Sequence, residues 1–335
     1  MKRALRMAVL EVARRRPFER AVDLLERFDR SSLGTLPVLT YHRVDAIGSR
    51  PDLDPALISA TPDQFERQMS WVAANRTVLS LDELLEIRRG RMAVPERALL
   101  VTFDDAYLDF ATGAWPVLRR HGLPVTMFVP TAYPDSDVRF WWDRLHAALS
   151  HTSRRAALET QAGRFALVDS EQRRRALERL RAWIASVPHD EAMELVGRLV
   201  DDLGGEPPAP AVLGWQALRE LAAAGVALAP HSRSHARLDR LPLERLAAEI
   251  AGSRADLVRE LGACPPVFAF PGGGHDADAE QLLAREGFEV AFTTRRGSNA
   301  MGDGDWLSLR RTNVGRRASL ALIRAELVYT PVGRR

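Results

Sequence analysis

The chain has 335 residues, 46% hydrophobic and 27% charged, which suits one large α/β domain or two ordinary ones and excludes a disordered chain. Its formal charge is +3 and acidic residues interleave with arginines almost everywhere, so no basic stripe stands out and no nucleic-acid partner is expected. A single cysteine, Cys264, excludes an intramolecular disulfide framework and a cysteine-based metal site.

Residues 1–30 read as two short amphipathic helices divided near Pro17, with Leu5, Val9 and Val12 on one face and Phe18, Val22 and Leu25 on the next. The start is basic, but Glu11 interrupts the apolar run and three arginines follow, unlike a secretory leader. No apolar run approaches the roughly 20 residues of a spanning helix. The expected location is therefore cytoplasmic, with peripheral contact at the inner membrane face through residues 1–30 left open. Packing on the chain's own domain competes with that reading, because Glu19, Asp23, Glu26 and Asp29 dilute the basic face.

From Leu36 the pattern changes. "LPVLTYHRV" reads as a strand ending at Tyr41-His42. A helix enters at Thr61 with Pro62 at its first position, and a second is capped by Ser80 with Glu83 three residues on and ended by Gly90. The strand "ALLVTF" follows, then a helix around "WPVLRRHG" and the strand "LPVTMFVP". Residues 140–213 are helical and strongly charged, beginning with "FWWDRLHAALSH" and closing in the proline-rich "GEPPAPAV"; they read as an insertion capping one rim. Beyond it, "LGWQALRELAAAG" is a helix, "VALAP" a strand, "PLERLAAEIAGSRADLVRELG" a long helix, "PVFAF" a strand, "DAEQLLAREG" a helix and "FEVAFTT" a strand. Such alternation implies a parallel sheet with helices outside.

The chemistry-bearing residues fall at the same place in successive β/α units. Asp104 and Asp105 follow "ALLVTF", His231 and His235 follow "VALAP", and Pro271 to Gly274 follow "VFAF". Strand ends of a β/α barrel converge on one rim, and histidines four apart share a face if the segment turns helically. Two imidazoles and a carboxylate make a common three-ligand zinc set. An Asp-Asp pair alone is most often a helix cap and its neighbour, and HxxxH alone is often coincidence. Together, each at a strand end, they point to a metal centre where one aspartate ligates and the other takes a proton.

"VTFDDAYLDF", "HSRSHARL", "FAFPGGGHDAD" and "LSLRRTNV", in that order, resemble the polysaccharide deacetylase family, also called the NodB-homology or carbohydrate esterase family 4 domain. The resemblance covers residues 36–326, including the "WWDRL" at the start of the insert. It implies a distorted (β/α) barrel of about seven strands, a divalent metal (zinc most often, cobalt or nickel in some members), and hydrolysis of an N-acetyl group on an amino-sugar glycan or its lipid-linked precursor. Carried onto this chain, it makes Asp105, His231 and His235 the metal ligands and Asp104 the general base. Tyr41, Pro271 and Gly272 would border the substrate, with the Gly272 N–H an oxyanion donor.

The chain departs from the family pattern in three places. Ala106 stands where glycine is usual, and the third motif lacks its arginine and tyrosine; Arg311, with Arg310 as competitor, is expected to orient Asp104. No histidine follows His275, so the acid that protonates the leaving amine falls to His42, ahead of His275. Two alternatives stay open: hydrolysis of another non-peptide C–N bond, as in a cyclic amide or ureide, and a catalytically degenerate glycan-binding domain.

Overall fold

The computed structural model describes residues 16–28, 34–154, 156–204, 206–302 and 304–329. The first of the two expected N-terminal helices lies outside these residues. The second, α1 (Arg16–Phe28), takes Pro17 into its first turn and buries Val22.

Seven short parallel strands carry the architecture: β1 (Val38–Tyr41), β2 (Ala98–Asp104), β3 (Thr126–Val129), β4 (Ala227–Pro230), β5 (Val267–Ala269), β6 (Val290–Phe292) and β7 (Thr312–Asn313). One hydrogen-bonded sheet runs β4-β3-β2-β1-β7, and β5 pairs with β6. Phe292 bridges to Leu309, and the Arg311 N–H donates to Arg295 O at 2.9 Å, which carries the wall round to β7. Neighbouring β4 and β5 form no ladder among the described residues. The result is the distorted seven-strand barrel expected from the alternation of elements.

Period-2 alternation decides which side chains see the barrel axis. Leu99, Val101 and Phe103 of β2 pack outward with Leu39 and Tyr41 of β1, under the helices. Leu100 faces inward with Val38, Phe128, Ala269 and Phe292, and a hydrogen bond of 3.0 Å joins the Thr40 and Thr102 hydroxyls on the same side. Asp104 has the parity of Leu100 and Thr102, so it is the last inward residue of β2, at the mouth of the barrel.

The outer helices begin where their caps dictate. Thr61 and Gln64 close a capping box on α2 (Pro62–Asn75), and Ser80 and Glu83 do so on α3 (Leu81–Arg88). A short α4 (Trp115–Arg120) leads to β3. The inserted region holds α5 (Trp141–His151), a hairpin of Leu158–Thr160 with Gly163–Phe165 that the helical pattern concealed, α6 (Ser170–Ile184) and α7 (His189–Leu203). These share their own core, including Leu145, Leu180, Val196 and Leu199. After it come α8 (Trp215–Ala223), α9 (Leu243–Leu261), α10 (Ala277–Arg285) and α11 (Leu320–Tyr329), the last tied to α1 by Arg324, which donates to Asp23 and Glu26. Among the described residues no helix is long and apolar enough to cross a membrane.

Candidate active site

The two aspartates leave β2 in opposite roles. Asp104 turns inward and meets Arg311, whose two terminal nitrogens donate to Oδ1 and Oδ2 at 2.8 Å each. Arg311 is wholly buried; its Nε donates to Thr293 O at 2.9 Å, and its guanidinium lies against the rings of Phe128 and Phe292. Burial alone would raise the Asp104 carboxyl, but Arg311, and then His231, hold it well below the ordinary carboxylate range. Arg310, the competing candidate, donates instead to Arg296 O and packs over Gly297.

Asp105 has φ +73° and Ala106 φ +51°, a left-handed step that swings the second carboxylate away from the first. The Ala106 methyl is buried in the outer core, so alanine is accommodated where the pattern favours glycine. Asp105 Oδ1 is buried without a hydrogen-bond partner, 3.2 Å from His235 Nε2 and 3.7 Å from His231 Nε2. The histidine loop is not the helical turn that an i, i+4 spacing suggests. Ser232 and His235 both take positive φ, and Glu249 of α9 fixes the loop by accepting the backbone N–H groups of Arg233 and Ser234 at 2.8 Å each.

The donor chemistry fits a divalent cation. One ligand atom each from Asp105, His231 and His235 lies within 4.8 Å of the others. His231 Nδ1 faces Ala269 O at 2.7 Å and must carry the proton there, leaving the Nε2 lone pair aimed at Asp105. Burial drives the His231 pKa down to about 4, so the ring is neutral at pH 7. A buried, unpartnered carboxylate oxygen beside a neutral imidazole is costly unless a cation completes it.

The remaining candidates separate clearly. His42 follows the outward Tyr41 and so points inward at the rim, half-buried, close enough for its charge to help lower both aspartates. Tyr41 corrects the expectation of substrate contact. Its ring stacks on Phe103 in the outer core and its hydroxyl donates to Gln68 at 3.0 Å, because alternation turns it away from the mouth. Pro271 is buried just past β5; Gly272 is exposed at φ +59° with Arg237 packed against it. His275 folds back instead, with Nδ1 on Gly273 O at 3.0 Å and its ring stacked on Phe270.

Sequence reasoning missed the aromatic wall behind His235. Trp142 and Phe140 of the insert meet that ring edge-to-face at 5.0 and 5.6 Å. The "FWWDRL" run marked them, but nothing in its spacing tied them to a histidine some 90 positions later.

Against this geometry, the sequence model of the family described as "Polysaccharide deacetylase" matches residues 91–291, more than half of the chain. The chain belongs to the polysaccharide deacetylase family. Poly-beta-1,6-N-acetyl-D-glucosamine N-deacetylase of Escherichia coli (strain K12) is 28% identical over 87 residues, 26% of this chain and 12% of that protein. The Staphylococcus aureus (strain MSSA476) protein of the same name is 29% identical over 76 residues, 22% of this chain and 26% of its own. The matched part of another relative, YxkH of Bacillus subtilis (strain 168), is 41% of its length, so this deacetylase-family chain spans less than half of these relatives. The solved Streptococcus pyogenes deacetylase PplD superposes with a TM-score of 0.61 at 17% identity, covering 88% of this chain and 98% of that one. IcaB from Ammonifex degensii gives 0.58 at 18% identity, covering 88% and 97%, and both likenesses establish the fold.

Proposed function

We propose that this chain removes the acetyl group from N-acetylated amino sugars of a glycan, releasing acetate and leaving a free amine. The observation that carries the reading is the split between the aspartates: Asp104 is held by Arg311 through both oxygens, while Asp105 Oδ1 is buried with no hydrogen-bond donor, facing His235 and His231. One is built to stay ionised and accept a proton, the other to complete a cation's coordination.

Asp105, His231 and His235 would hold the metal, zinc being the first to test for this donor set. When bound, such an ion acidifies water to a pKa near ~7 and polarises a carbonyl. Asp104 Oδ2, 3.8 Å from His231 Nε2, faces the ligand cluster and accepts the proton that the attacking water gives up. Oxygen from water bonds to the acetyl carbon, the C–N bond breaks, and His42 donates a proton to the departing nitrogen. The anchoring of His275 to Gly273 O leaves His42 the better placed of the two. The Gly272 N–H is assigned to the developing oxyanion, on the exposed loop that follows β5.

The E. coli and S. aureus relatives are named for poly-β-1,6-linked N-acetylglucosamine, which makes its oligomers the first substrates to try. A lipid-linked glycan at the inner membrane face is a second substrate to try, although α1, the described half of residues 1–30, buries Val22 and is tied to α11 by Arg324. The test is metal content together with acetate release from N-acetylglucosamine oligomers. About one zinc per chain, lost in Asp105→Ala and His231→Ala, with Asp104→Asn retaining metal but not turnover, is the expected result. A wild type that takes up no divalent metal, or that binds it and releases acetate from no acetylated sugar, overturns the reading.

A further inference from the structure

The insert reaches the site through one buried network. Asp143, on its first helix, accepts the Tyr107 hydroxyl at Oδ2 (2.8 Å) and the backbone N–H of Asp54 at Oδ1 (2.8 Å). Tyr107 lies two residues past Asp105, and its oxygen accepts the Trp142 indole N–H at 2.9 Å. Asp143 and Tyr107 are each 1% exposed. Phe140 stacks on Trp142 at 4.5 Å and on Tyr133 at 4.3 Å, completing the wall against which His235 rests.

The end of the insert grips the same loop from the other side. Tyr107 and Val212 form an antiparallel bridge, Leu108 N–H donates to Ala211 O at 2.7 Å, and Leu213 N–H donates to Ala106 O at 2.9 Å. Both ends of residues 140–213 therefore converge on the left-handed Asp105-Ala106 step.

From this geometry we infer that Asp143 is a positioning residue for the metal site: through Tyr107 and Trp142 it fixes the wall behind His235 and the turn that presents Asp105. The inference rests on the metal-centre reading above. An anchor serving only to dock the insert would predict lost stability alone. A positioning role also predicts altered ligand geometry, because groups packed and hydrogen-bonded behind ligands tune a site about 10–100-fold.

The experiment compares the full chain with Tyr107→Phe and Asp143→Asn. The first deletes one hydroxyl; the second sets an amide N–H against either the Tyr107 O–H or the Asp54 N–H. Leu180→Ala, inside the insert's own core, is the stability control. Zinc affinity by chelator competition, the visible spectrum of the cobalt-loaded protein, thermal midpoint, kcat and KM are read for each. The expected result is zinc affinity weakened about tenfold or more in both network variants, with a shifted cobalt spectrum. Turnover should fall with KM nearly unchanged, while Leu180→Ala keeps wild-type zinc affinity at a comparable loss of midpoint. Zinc affinity within twofold of wild type in both network variants, or an equal weakening in Leu180→Ala, overturns the inference. If either network variant fails to fold, Trp142→Phe, which removes the indole N–H and keeps an aromatic ring, is held to the same criteria. A wild type without metal overturns the metal reading itself and shows before any variant is made.

Discussion

At the scale of single residues, Arg311 is where burial and charge conflict most sharply. Its guanidinium, out of water, is divided among a carboxylate, a carbonyl and two aromatic faces. Removing it strands Asp104 as an unpaired buried charge, so Arg311→Met should cost about 3–5 kcal/mol in urea unfolding. Arg311→Lys should recover only part of that, since an ammonium cannot bond both carboxylate oxygens side by side. A loss below about 1 kcal/mol for the methionine variant would mean the pair does not hold the carboxylate in place. His231 sets a pH dependence of definite sign. Unfolded, it titrates near 6.5; folded and metal-free, it resists protonation down to about 4. The unfolded chain binds more protons across that interval, so stability is complete above pH 6.5 and falls as the pH drops through 4. On the order of 3 kcal/mol is at stake. Melts of chelator-treated wild type and His231→Gln between pH 7 and 4 isolate it, because Asp143, pushed up to about 7 by burial, titrates with the opposite sign over the same window; identical profiles for the two proteins would contradict the buried neutral ring.

Among the elements, the loop after β5 has the least room. Gly273 adopts φ +73°, and a Cβ there would come within 2.6 Å of the Thr294 backbone nitrogen. Gly273→Ala should therefore displace Gly272 and lower both turnover and thermal midpoint; an unchanged variant would show the loop to be pliable. Much of this level was legible in the sequence. The capping signatures at Thr61 and Ser80, the strand parity of β2 and the rim placement of Asp104 follow from local rules that the fold obeys. Tyr41 was misplaced because its strand ends at the rim, and applying alternation one residue further would have selected His42 over it. The histidine loop was legible in its two histidines but not in its shape, because two non-glycine residues at positive φ leave no compositional mark. The 158–165 hairpin was lost in a charged, helix-rich stretch, and the contact of Trp142 with His235 arises only when distant segments pack.

For the whole molecule, the insert has its own core yet is fastened to the barrel through the loop bearing the aspartates. The insert and the aspartate loop thus share one joint. The barrel wall has an unladdered gap between β4 and β5, and the His231 Nδ1 bond to Ala269 O spans it. That hydrogen bond makes the imidazole the rivet of the seam as well as a donor of the ligand cluster. Pulling on its far nitrogen tightens the near one, so filling the centre would shut the last stave of the barrel. Were a cation held there, stripping it would loosen the hydrogen bond that ties β5 to the histidine loop across the seam.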